Sequence, residues 1–154
     1  MKLRYVLFFI LFISCLSNSY GQVSDSAEVV TTFKEILFLC RNVDFSDPKV
    51  TQSGTFYKVA PYIVYRGTNE KRAWKEPANY ANEDEKKGVD EVCYRINSQV
   101  NQDTNYVVLD FNNGNEKEGK WYILTVSYVK KGQQKTGYFA FLRINGRFLL
   151  GDID

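Results

Sequence analysis

Histidine does not occur once in the 154 residues. Without it there is no Ser-His-Asp or Cys-His nucleophilic system, no His-containing metal site, and no side chain whose ordinary pKa lies near 7 to act as general base. The chain also lacks CxxC, P-loop and GxGxxG spacing, so structural zinc and nucleotide phosphates have no supporting motif and no cofactor is expected. A broad field of one sign is missing too. The 20 basic residues include Lys2 and Arg4 near the start, and without those two the basic residues equal the 18 acidic ones, none of which precedes Asp25. A formally neutral domain has no broad positive field with which to hold nucleic acid or an anionic membrane, so neither is an expected partner. Long apolar runs are absent as well. The run from Val6 to Leu16 is about half of the roughly 20 residues a helix needs to cross a bilayer, and no transmembrane segment is expected.

What is present begins with a leader. MKLRYVLFFILFISCLSNSYG carries two early positive charges and then an apolar core, the pattern of a secretory signal peptide over residues 1–21, with one domain over 22–154. Two exits compete. Ser19 and Gly21 are small residues three and one before Gln22, as signal peptidase requires, whereas Phe12-Ile13-Ser14-Cys15 resembles a lipobox with Cys15 as the lipidated residue. Either exit implies an exported protein, periplasmic or secreted, with a lipid tether at the cell envelope only by the second route.

Two cysteines remain in the folded part, Cys40 and Cys93. An oxidising compartment permits a bond between them, which would close a loop of about 50 residues; the alternative is a pair of buried thiols behaving as small hydrophobes.

Asp25 and Glu28 have capping-box spacing, and Val29, Phe33, Ile36, Leu37 and Cys40 recur at helical spacing, so a first helix is expected to about Asn42. Pro48 follows its end. The stretch GTFYKVAPYIVYRG reads as a short helix leading into a charged, irregular loop. Asn82 as cap, Glu85 three residues on, and Val89, Val92, Cys93, Ile96 and Val100 define a second helix over Glu83 to Gln99. After Asn101 the period becomes two. Strands are expected over Tyr106–Phe111, Trp121–Val129, Tyr138–Ile144 and Arg147–Ile153, with longer turns at Asn112-Asn113-Gly114 and Lys131-Gly132 and a type I′ turn at Asn145-Gly146. That turn sets Ile144 opposite Arg147 and Leu142 opposite Leu149, which puts Phe139, Phe141, Phe148 and Leu150 on one face with Arg143 and Asp152. Both faces of this hairpin are largely apolar. The expected fold is therefore α+β, with helices on one face of a curved antiparallel sheet of about four strands, a second apolar space on the other face, and the last strand in a central position.

That order, closing in FAFLRINGRFLLGDID, resembles the NTF2-like (cystatin-like) superfamily, and APYIVYRG, KRAWK and VDEVCYRIN resemble its small secreted members in the Bacteroidota. The resemblance implies a cone of sheet around the helices with a pocket at its wide end. Its enzymes typically use a His or Asp inside the cone, and this chain has no His to offer.

Two constellations remain. Asp110, Asp152 and Asp154 lie on strands and could act as acid or base if buried together; otherwise they are solvated strand ends. Arg66, Lys71, Arg72 and Lys75 interleave with Tyr62, Tyr65 and Trp74, a mixture able to hold an anion through guanidinium and an apolar body through stacking, or else a loop whose charges pair with Glu70, Glu76 and Glu83. The expectation is an exported, noncatalytic binding domain that takes a small anionic or amphipathic ligand, or a protein partner, through Tyr62, Tyr65, Arg66, Arg72 and Trp74, supported by Arg143 and Asp152. Alternatives are a periplasmic inhibitor or immunity-type protein and a histidine-free isomerase or hydratase. No metal site is expected.

Overall fold

The computed structural model describes residues 24–43, 46, 54–100 and 105–154. The leader, both of its exits and Cys15 lie outside the described residues, as does Pro48.

Helix α1 occupies 24–41 and helix α2 Glu83–Gln99. Asp25 falls inside α1 rather than at its cap; its carboxylate and that of Glu28 pair with Arg143 at 3.1 and 3.0 Å. The start of α2 is as expected. Asn82 Oδ1 accepts from the amides of Asp84 and Glu85 at 3.0 and 3.2 Å, and three acidic residues fill the first turn against the positive end of the helix dipole. Glu85 does not close a capping box. It reaches instead to the amide of Asn79 at 2.7 Å and to Arg72. Between the helices, GTFYKVAPYIVY forms turns, a 3-10 turn at Ala60–Tyr62 with Pro61 inside it, and two bridge residues, Ile63 and Val64.

The sheet is an open antiparallel meander in the order β1 (Tyr106–Glu116), β2 (Gly119–Lys130), β3 (Gln133–Ile144) and β4 (Arg147–Ile153). Asn112-Asn113-Gly114 is not a turn but the continuation of β1, paired with Ile123, Tyr122 and Trp121, and the chain reverses after Glu116. Lys131-Gly132 and Asn145-Gly146 are both two-residue turns with positive φ at both positions (52° and 73°; 50° and 78°), the I′ geometry that matches strand twist. Leu142 faces Leu149 and Ile144 faces Arg147, as the second of these turns requires.

Strand β4 departs from expectation twice. A bulge at Gly151 sets Phe141 opposite Leu150 but Ala140 opposite Asp152, so Ile153 joins Phe139 on the inner face and Asp152 moves to the outer one. The strand is also an edge, not a central strand.

Two apolar clusters fill the fold. The inner face packs Leu124, Val126, Phe139, Phe141, Phe148 and Leu150 against Val29, Phe33 and Ile36 of α1 and Val89, Cys93 and Ile96 of α2. Where Cys40 and Cys93 meet, a disulfide with Cα atoms 5.2 Å apart joins the two helices. The outer face is apolar at the β3–β4 end, where Leu142, Ile144 and Leu149 pack with Val64 under Trp74 and Trp121. The second apolar space is thus a small cluster lidded by a loop. Among the described residues, no helix is long and apolar enough to cross a membrane.

Candidate functional site

The loop over 65–76 is held at its base by backbone pairing. Tyr65 N–H donates to Glu76 O at 2.9 Å, Trp74 N–H to Tyr65 O at 3.0 Å, and Val64 bridges Pro77. Arg72 fastens the loop to α2. Its guanidinium donates to Glu76 at 2.7 Å and, through both terminal nitrogens, to Glu85 at 2.8 and 3.1 Å, and it lies 4.3 Å from the Tyr65 ring centroid. These bonds hold the Glu85 carboxyl below its ordinary range and push Arg72 still higher, so the pair stays charged as a structural clamp. Trp74 takes φ 64°, a rare conformation for a bulky residue, and in doing so lays its ring edge-on to Trp121 at 5.7 Å.

This loop forms one wall of a cleft of about 590 Å³, within the 300–1,000 Å³ typical of ligand sites. Tyr65, Arg66 and Thr68 stand on the loop side, the β4 segment Leu150–Ile153 forms the floor, and α2 supplies the opposite wall through Asp84, Gly88, Glu91, Val92 and Arg95. Those five positions recur every three or four residues, so they share one helix face.

The floor is the β4 edge, and three of its carbonyls are answered from outside the sheet. Val64 N–H donates to Leu150 O at 2.9 Å, Arg66 to Gly151 O at 2.7 Å, and Arg95 to Ile153 O. Two guanidiniums thus stand in for the next strand and block the edge from pairing with another chain. Arg66 also meets the Asp152 carboxylate at 2.7 Å, a half-exposed pair. Each guanidinium is fixed by a backbone carbonyl and lines the cleft. Glu91 stands four residues before Arg95, the spacing at which helix neighbours pair, but Arg95 is turned to Ile153 O. Among the described residues, Glu91 is left without an ion-pair partner.

Gly88 is the centre of the α2 wall. A Cβ at that position would meet nothing within 4 Å, so neither packing nor a left-handed backbone calls for glycine. In a helix interior it costs about 1 kcal/mol relative to alanine. What its missing side chain provides is room in the cleft.

Of the residues expected from sequence, Tyr65, Arg66 and Asp152 come together here. Arg72 and Trp74 support the loop from behind, Tyr62 lies by the inner cluster with Arg147 5.5 Å from its ring centroid, and Arg143 is bound to α1 and stacked on Phe148. Sequence reasoning passed over Arg95, Glu91 and Gly88; the signal for them was the second stripe of α2, beside the apolar one. Asp110 and Asp154 are not brought together. Asp110 sits on edge strand β1 and Asp154 just past the end of edge strand β4, in one row through Thr125 and Tyr138, about 14 Å apart at ordinary strand spacing. Among the described residues, no group of three or more His, Cys, Asp or Glu is placed to hold a metal.

The fold and cleft together define an α+β domain of two helices on a four-stranded open sheet, with a cleft of mixed polar and apolar lining between the second helix and the last strand. Comparison with family models, with curated proteins and with solved structures finds no match.

Proposed function

We propose that the protein is an exported, noncatalytic binding domain and that the cleft between α2 and β4 receives its ligand. One observation carries this reading: a helix-interior glycine at the centre of the cleft wall, with no contact that explains it, keeps open a space flanked by two backbone-anchored guanidiniums. Anchoring fixes the donors before a ligand arrives, which lowers the ordering cost of binding. Two of the carboxylates lining the cleft are already committed to arginine, Glu85 to Arg72 and Asp152 to Arg66.

Paired variants test this. Gly88→Ala fills almost none of the cleft, whereas Gly88→Leu extends a side chain into it. In a thermal-shift screen of anionic, zwitterionic and amphipathic compounds, the wild type and Gly88→Ala are expected to share hits that Gly88→Leu loses. Hits that survive Gly88→Leu unchanged would reject the cleft.

A second reading, a periplasmic inhibitor or immunity-type protein, is favoured by the outer sheet face, where Val107, Val129 and Tyr138 are about half exposed. A stoichiometric protein recovered from the cell envelope, and lost on Tyr138→Glu, would select it.

A further inference from the structure

We infer that the ligand of this cleft is a short peptide with free ends, its carboxylate taken by Arg95 and Arg66 and its ammonium by Glu91. This rests on the reading of the cleft as a binding site and adds the chemical class. The charges decide it. Arg66 is half neutralised by Asp152, whereas Arg95 has only a neutral carbonyl as partner and Glu91 has none among the described residues. One positive and one negative group therefore remain in the same cleft. A dianion would be repelled by Glu91 and Asp152, and an organic cation by Arg95 and Arg66. A molecule with both charges satisfies both ends.

Size narrows the class further. A volume of about 590 Å³, with Arg95, Arg66 and Glu91 on its lining for the two charged ends, accommodates several residues, more than a single amino acid fills. The lining between those ends is apolar at Val92 and Leu150, which suits small aliphatic side chains.

Isothermal titration with four probes tests the inference: trialanine, N-acetyl-trialanine, trialanine amide and the doubly capped peptide. Trialanine should bind, and each single cap should weaken it by at least about tenfold, the scale of one charge-assisted hydrogen bond. Arg95→Gln should reduce the penalty of amidation, with Arg95→Lys restoring part of it, and Glu91→Gln should erase the penalty of acetylation; melting curves check that each variant is folded. Doubly capped peptide binding as tightly as trialanine, or no binding by trialanine, overturns the inference. In either case the Gly88→Leu comparison separates the two claims. If screening hits still disappear in that variant, the cleft stands and only the ligand class falls; if they persist, both fall.

Discussion

Trp121 lies across the bulge of β4, with ring carbons where a Cβ on residue 151 would sit, 2.6 and 2.7 Å away. Gly151→Ala must therefore push the indole out of the outer cluster, at a cost of about 1–3 kcal/mol. Both tryptophans of the chain are in edge contact there. Their emission should shift in the variant, and an unchanged spectrum and melting temperature would contradict the packing. The reverse sign belongs to Gly88→Ala: with open space around the new methyl, that variant should gain up to about 1 kcal/mol, read as a higher urea midpoint. Glu85 makes a prediction in pH. Its carboxyl, bound by Arg72, titrates lower when folded than when unfolded, so its contribution is complete above about pH 4.3 and is lost as pH falls through the lower folded value. The melting temperature of Glu85→Gln should lie below wild type at neutral pH and converge with it below about pH 4. A gap that persists undiminished into acid would remove the clamp from the account.

Among the elements, the two helices depend on the bond between Cys40 and Cys93, which spans 53 residues. In the chain-entropy model such a crosslink contributes about 4 kcal/mol. Full reduction, verified by mass, should lower the melting temperature by roughly 10 °C; reduction without effect would mean the helices pack as firmly without it. The helices and strand pairing were readable because each has a local cause: Asn82 caps α2, its apolar stripe repeats at 3.6, and Asn145-Gly146 fixes the register of Ile144 with Arg147. Other features depend on partners distant in sequence. Nothing near Asn112-Asn113-Gly114 says that these turn residues have a strand, β2, to pair with; nothing near Asp152 announces a bulge, because Gly151 is needed only once Trp121 lies over it. Likewise the two apolar faces of the β3–β4 hairpin pointed to a central strand, whereas the second face is covered by Val64 and Trp74.

For the whole molecule, the sheet edge and the second helix meet at the cleft, where Arg66, Arg95 and Glu91 line one space. The sheet edge at β4 is closed by a bridge and two arginines, one from the loop and one from α2, and these arginines make that edge the floor of a cleft. From sequence, Tyr65, Arg66 and Asp152 were legible as candidates because they are charged or aromatic in a loop or strand end, and they line one cleft. Arg95, Glu91 and Gly88 were not, since only the packing of α2 shows that their stripe faces a space instead of bulk water. The most direct measurement is an amide chemical-shift titration of the protein with a compound that stabilises it. Perturbations should concentrate over residues 63–68, 84–95 and 150–153. If the largest fall instead on Val107, Val129 and Tyr138 of the outer face, with the cleft silent, the central claim is wrong.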